Sequence, residues 1–568
     1  MTMTQWFIFF LIVQVIHCLG TWKLYIKAGR KPWEAIVPVY NAVVLMKIIN
    51  RPWWWVILLF IPIINLIMFP VIWVETARSF GKRSSLDTWL TILTLGFYLY
   101  YINYALDVTY IENRSLEPRT ATGEWVSSIL FAIVAATLVH TYFIQPYVIP
   151  TSSLEKTLLV GDFLFVSKFH YGARVPMTTV AAPMVHDTLP ILKTKSYLDK
   201  PQLPYLRLPG FQDIKRNDIV VFSWPADTVE RFFTYTDKRI RKPIDKKSNY
   251  VKRCVGLPGD HLEIKDGYIY INNERSILPD RAKPQFTHIV KSKKGVPSRI
   301  ILENTSSTEF TRKYVGDFKN QDQINAISQY MRGVVNNDNK GKITFITDAK
   351  GVPVNAIKKY NVSIKEVSDF EREVNLTEAD AEKLRVNPAI DEVVRYIMPE
   401  TTTNISFYPN NISYKWNLDH FGPINIPQEG KTIDIDVKTL PLYKKIIEEY
   451  ESNTLQVKGN QILINGEVAN TYTFKQDYYW MMGDNRHRSE DSRYWGFVPQ
   501  DHIVGKPVFI WMSIDGINDG ISNWKIRWDR VFTTVGGSGE PVSYFKYFLI
   551  LLAIWIGYGQ YIKRKKKA

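Results

Sequence analysis

Thr151, Ser152 and Ser153 emerge directly from an uncharged apolar stretch, WVSSILFAIVAATLVHTYFIQPYVI, that ends at Ile149. At about 25 residues, that stretch is long enough as a helix to cross a hydrocarbon core of ~30 Å. A hydroxyl one or two turns beyond it can act on a substrate that is itself held in a membrane. A serine hydroxyl alone is a poor nucleophile and needs a base within hydrogen-bond reach. None of the 9 histidines stands in a triad-like arrangement. A lysine can replace histidine if its amine is neutral, which requires desolvation to disfavour the charged form. Lys252, in NYVKRCVGLPGD, has Tyr250, Val251, Cys254, Val255 and Leu257 around it. On a strand its side chain points to one face, where apolar neighbours bury the amine. On spacing alone the alternative is a solvated lysine, because buried lysines are rare. Cys and His show no metal-ligand spacing, and no Gly-rich phosphate loop follows a strand. No metal and no cofactor is expected.

The elements that must position these groups are strands. FLFVSKF, DIVVFSW, HLEIKDGYIYINNE, NQILINGE, YYWMMG and KPVFIWMSI are apolar or alternating runs of strand length, separated by Gly, Asp and Asn turns. LEIKDGYIYINNE and LQVKGNQILINGE echo each other as two similar hairpins. Between them the chain is polar, with helix-like patches such as LTEADAEKLRV and PLYKKIIEEY. The expected order is an N-terminal membrane region over 1–123 with about three apolar runs, a membrane helix over 124–148, and a β domain over 149–275 and 455–535. An α+β insertion over 276–454 interrupts that domain, and a C-terminal membrane helix covers 543–561.

Formal net charge is +16. The basic residues gather beside apolar runs, as Lys23, Lys27, Arg30 and Lys31 do, and in KRKKKA from Lys563. That placement favours a lipid bilayer over nucleic acid, for which no binding motif is present. Apolar runs of near-spanning length lie at 5–22, 53–75, 88–105, 125–148 and 543–561. The second carries Pro62, Asn65 and Pro70 and is expected to kink or re-enter. A cytoplasmic KRKKKA places 149–540 outside, but then Arg78, Lys82 and Arg83 would also lie outside if all four N-terminal runs span.

IPTSSLEKTLLVGD, RNDIVVFSWP, YVKRCVGLPGD and GDNRHRSEDSRYWGFVP occur in that order and together resemble the type I signal peptidases, membrane-bound Ser-Lys serine endopeptidases. The resemblance covers about 125–275 and 455–515. It implies a mainly β catalytic fold, shared with self-cleaving Ser-Lys repressors, anchored by several transmembrane helices. It also implies Ser153 as nucleophile and Lys252 as general base, with Thr151 and the Ser153 N–H forming an oxyanion hole. Ser489 would orient the lysine, while Asp484, Asp491 and Arg493 would support the site. The implied partners are signal peptides of exported preproteins, cleaved on the outer face of the cytoplasmic membrane. An extended peptide would add as a strand beside Tyr147–Thr151 and Tyr250–Lys252, over pockets lined by Tyr147, Ile149, Leu154, Leu158, Val221, Tyr250 and Val251. The chain departs from the family pattern at Leu154, Glu155 and Lys156, where Met and a later Pro are usual, and at Asn217 and Cys254, which replace small residues.

Overall fold

The computed structural model describes residues 2–118, 120–228, 240–338 and 341–565. Lys566, Lys567 and Ala568 of the basic tail lie outside them. Among the described residues three helices are long and apolar enough to cross a membrane, at Met3–Lys27, Ala121–Phe143 and Phe545–Lys565. The runs at 53–75 and 88–105 are not continuous spans. The first breaks around Pro62, where Ile63 adopts a φ of 70°, and resumes as Ile64–Ser79. The second breaks at Leu95 and Gly96, where φ is 51° and 85°. A Cβ at Gly96 would come within 2.7 Å of the Trp73 ring, so the turn and its packing both need glycine.

We label the four longer helices α1 (Met3–Lys27), α2 (Ile64–Ser79), α3 (Ala121–Leu138) and α4 (Phe545–Lys565). The start of α2 packs on the end of α3, through Ile64 and Met68 against Val134 and Leu138. At the far end of α2, Glu75 is buried and holds Arg51 and Arg114, which lies just before α3. The two helices are therefore antiparallel. The first turn of α1 touches the β domain, where Trp6 Nε1 donates to the Gln202 carbonyl at 3.0 Å. Trp528 and Phe532 pack on Phe545 at the start of α4. The basic ends of α1, α2 and α4 all point away from that domain.

The β domain is built on a nine-stranded sheet. Its main path uses β1 (Ile144–Val148), β2 (Asp162–Ser167), β3 (Ile219–Ser223) and β4 (Asn249–Gly256). Two later strands extend it, and three two-residue strands, Val498–Pro499, Lys525–Ile526 and Thr533–Thr534, bring the count to nine. With β5 (His261–Lys265), β6 (Tyr268–Ile271) and β7 (Gln285–Lys291) forming other sheets, the two later strands are β8 (Tyr478–Met482) and β9 (Ile503–Asp515). The antiparallel order is β1-β2-β9-β3-β4-β8. One face buries Ile149, Leu154, Leu158, Val221 and Ile510, and the other buries Val220, Phe222, Cys254, Met481 and Trp495. Alternation along β3 and β4 sorts residues between the two.

The boundaries 276 and 454 do not coincide with packing. Residues 290–393 and 314–362 form two cores of their own. Tyr408, Phe421, Ile426, Leu440 and Ile447 instead share one core with Leu262, Ile269, Trp480 and Phe497. The returning half of the insertion thus belongs with the β5–β6 hairpin and β8.

Candidate active site

Ser153 sits in a single 3₁₀ turn, Ser152–Leu154, entered from β1. Two apolar anchors pull this turn onto the sheet, Leu154 and Leu158, each 1 % exposed. Ile149 fixes its entry by accepting from Gly161 N–H and donating to the Asp162 carbonyl. Lys156 completes the turn at a φ of 71°, a conformation that side chains seldom adopt.

Lys252 comes from β4, paired with Val220 of β3. Its side chain shares a face with Tyr250 and Cys254, and it is 3 % exposed. Its Nζ donates to Ser153 Oγ at 2.6 Å, joining residues 99 apart in sequence. Burial draws the ammonium down to about 8, against the opposing pull of Asp491, Glu490 and Asp484. The sequence alternative of a solvated lysine does not hold.

The stretch after β8 braces both partners. Asp484 accepts from Arg253 Nε at 2.8 Å and Nη2 at 2.6 Å, and from Thr157 Oγ1 at 2.6 Å. One carboxylate therefore ties the residue after Lys252 to the turn after Ser153. Asp491 accepts from Arg493 Nε and Nη2 and from Gly483 N–H, and both charges are fully buried. Arg253 and Arg493 hold these two carboxyls below their usual range.

Other expectations need correction. Among the described residues the Ser489 hydroxyl makes no hydrogen bond, to Lys252 or to any other group. It lies against the Gly483 α-carbon, where a Cβ would come 2.2 Å from Oγ and 2.5 Å from the Ser153 carbonyl oxygen. Gly483 is thus the spacer that lets the two segments touch. Thr151 is exposed, and among the described residues its hydroxyl caps no helix N–H. The expected pocket divides across the sheet. Ile149, Leu154, Leu158 and Val221 are core residues beneath the site, not an open lining. Tyr250 lies on the face opposite Val251, which is the face of Lys252: its ring stacks on Trp224 at 5.0 Å and stands 5.3 Å from Lys252 Nζ, beside the dyad. Tyr147 and Val251 are half-buried, and Tyr147 Oη accepts from Asn249 Nδ2 at 3.2 Å.

The sequence reading missed several supports. Arg253 and Thr157 are unmarked except for standing beside Lys252 and within the nucleophile segment. Asn485 donates from N to the Ser153 carbonyl at 3.1 Å and from Nδ2 to the Ser152 carbonyl at 3.1 Å. The insertion joins in. Gln285 of β7 donates to the Glu155 carbonyl at 2.8 Å, Glu309 accepts from Asn485 Nδ2 at 2.6 Å, and Lys156 Nζ bonds the Ser306 carbonyl. Nothing in the sequence around Gln285 or Glu309 signals these contacts.

The family described as signal peptidase, peptidase S26, matches residues 122–338 and 424–512, more than half of the chain. The chain belongs to that family. Signal peptidase I of Haemophilus influenzae is 23% identical over 436 residues, covering 75% of this chain and 79% of the relative. Signal peptidase I of the pea-aphid Buchnera aphidicola is 24% identical over 440 residues, covering 75% and 90%. That of Rickettsia massiliae is 29% identical over 162 residues, covering 28% and 47%. In this peptidase the membrane region is a second unit: residues 33–113 match a family of unknown function, DUF5684.

Proposed function

We propose that this signal peptidase cleaves N-terminal signal peptides from exported preproteins through an acyl-enzyme formed on Ser153, with Lys252 as general base. The observation that carries the reading is the 2.6 Å contact between Lys252 Nζ and Ser153 Oγ in a desolvated setting. In the neutral-amine form the hydroxyl donates to Nζ. As Ser153 Oγ attacks the scissile carbonyl, its proton passes to Lys252, which then returns it to the leaving amine. The oxyanion would be met by the Thr151 hydroxyl and the Ser153 N–H, at the start of a turn whose first N–H groups have no intrahelical acceptor. Water then attacks the ester, with Lys252 again taking the proton.

Substrate would bind by strand addition. β8 pairs with β4 only from Arg253 to Gly256, leaving Asn249–Lys252 with an open edge. β1 likewise pairs on one side only, with β2. A peptide between these edges passes Ser153 with Tyr147 and Val251 beside it.

The membrane placement follows the same logic. With α1, α3 and α4 spanning, Lys23–Lys31, Arg78–Arg83 and Lys563–Lys565 fall on one side, opposite the β domain. Two broken runs in place of two spans remove the conflict over Arg78, Lys82 and Arg83. The positive-inside rule makes that side cytoplasmic and the catalytic domain extracytoplasmic.

Purified full-length protein should process a preprotein to its mature length, and Ser153→Ala should not. Equal cleavage by both would end the reading.

A further inference from the structure

Where the membrane helices meet the β domain lies a cavity of about 330 Å³ that the peptidase chemistry does not use. Ile63, Thr137 and His140 wall it on the membrane side, and Lys168, Arg174 and Lys246 on the other. Its charges are unbalanced. Lys246 is 5 % exposed, and its ammonium makes no ion pair or hydrogen bond among the described residues: the Tyr197 ring lies at 5.2 Å, and the Asp245 and Asp187 carboxylates act on it only from beyond pairing distance. Lys168 Nζ likewise has no ion pair or hydrogen bond there, and burial beside Arg174 draws it down to about 7. Arg174 donates only to neutral oxygens, the Asp501 carbonyl at 2.9 Å and the Ser223 hydroxyl at 3.1 Å.

Among the described residues Asp245 is the one carboxylate in the lining, and it is already engaged by Thr178 N–H at 2.9 Å and Oγ1 at 2.7 Å. His186 faces the same space, with Nε2 donating to the Lys247 carbonyl at 3.0 Å. The Thr137 hydroxyl is buried, 4 % exposed, with no hydrogen-bond partner among the described residues. Three desolvated cations outnumber the one carboxylate in the lining, and the carboxylates near them are engaged elsewhere, Asp245 by Thr178, Asp187 by Lys242 and Asp501 by His502; an anion between the cations offsets the cost of burying them. A phosphate, with several strong acceptor oxygens, suits a guanidinium, two ammonium groups and a hydroxyl better than a single halide would.

The cavity also has a defined depth. It opens where α3 widens into a π turn, Val139–Phe143. Trp6, at the outer end of α1, marks the same end of the helices, as interfacial tryptophans do. Given the membrane placement argued above, on which this rests, that level is the headgroup layer.

We propose that this cavity binds the phosphate of an anionic phospholipid headgroup and so seats the β domain against the bilayer. The test uses the full chain in detergent, with phosphatidylglycerol, phosphatidylcholine and free glycerol phosphate as probes. Native mass spectrometry should find phosphatidylglycerol retained on the wild type. Lys168→Met with Lys246→Met should weaken that retention by about tenfold or more. Lys168→Arg should keep it, and the exposed-site control Lys358→Met should not change it. Equal retention by wild type and the double variant would overturn the site. Binding of glycerol phosphate without retention of lipid would overturn the headgroup assignment, and the membrane placement with it. Cleavage of a soluble peptide in the same samples is a separate readout. Its absence in the wild type would sink the peptidase reading and leave lipid retention unaffected.

Discussion

Ser153 and Lys252 meet at 2.6 Å but are held by different physics. The Ser153 turn is fixed chiefly by apolar burial, with Leu154 and Leu158 pressed into the sheet and backbone carbonyls tied by neighbours. The segment from Gly483 to Arg493 is fixed by fully buried charge pairs, Asp484 with Arg253 and Asp491 with Arg493. Burial tolerates small shifts, whereas a bidentate carboxylate–guanidinium pair fixes both distance and orientation. The lysine side of the dyad is therefore the rigid reference, and the serine turn is seated against it.

The largest expected effects test the dyad that both regions serve. Lys252→Arg keeps charge and length but stays protonated, so turnover should fall by about 10⁴-fold, the upper range for a general base. In the wild type, kcat/KM should rise with pH through about 8 and then level, because only the neutral amine accepts the proton. A pH-independent rate between 6 and 9 would remove Lys252 as base.

Thr151→Val probes the serine side alone. It should lower kcat by about 10²–10³-fold, the usual loss of one oxyanion donor, with little change in melting temperature. Thr151→Ser should keep most of the activity, and equal rates for Val and Thr would exclude the hydroxyl.

Two stability measurements then set the regions side by side. Asp484→Ala strands Arg253 without its carboxylate and should cost about 3–5 kcal/mol in denaturant unfolding. Leu158→Ala should cost about 2–5 kcal/mol through cavity formation. The sharper difference is in rescue. Leu158→Met should restore most of the stability, whereas Asp484→Glu, one methylene longer, should not restore the bidentate pair. Full rescue by Glu would show that the charge pair is no stiffer than the apolar seat.

The smallest effect belongs to Ser489→Ala. An unpaired buried hydroxyl contributes nothing to lose, so stability should change by less than about 1 kcal/mol or improve. A larger loss would reveal a hydrogen bond that forms outside the resting geometry.

The dyad was legible because its boxes carry unusual residue types at fixed places, and the buried face of Lys252 followed from Tyr250 and Cys254 in alternation. Strands β2, β3, β8 and β9 were legible as continuous apolar runs. The pocket was legible only in part: Ile149, Leu154, Leu158 and Val221 turn into the core beneath the site, while Tyr250, two residues before Lys252 on a strand, stays beside it. Hydropathy likewise overstated the membrane spans. It averages over Pro62 and Gly96, where backbone geometry ends a helix that composition alone would continue. Gln285 and Glu309 were invisible because their partners, Glu155 and Asn485, are distant in the chain and local pattern carries no such information.

Those distant bonds set an order of biogenesis. Asn485 reaches back 333 residues to the Ser152 carbonyl, and Asp484 reaches back 231 to Arg253. During synthesis α3 and Ser153 are made long before either brace exists. A nascent chain arrested near residue 470 should therefore present its serine to passing preproteins and cleave none of them. The protease becomes competent only once the segment that carries Asp484 and Asn485 has been made and has folded back.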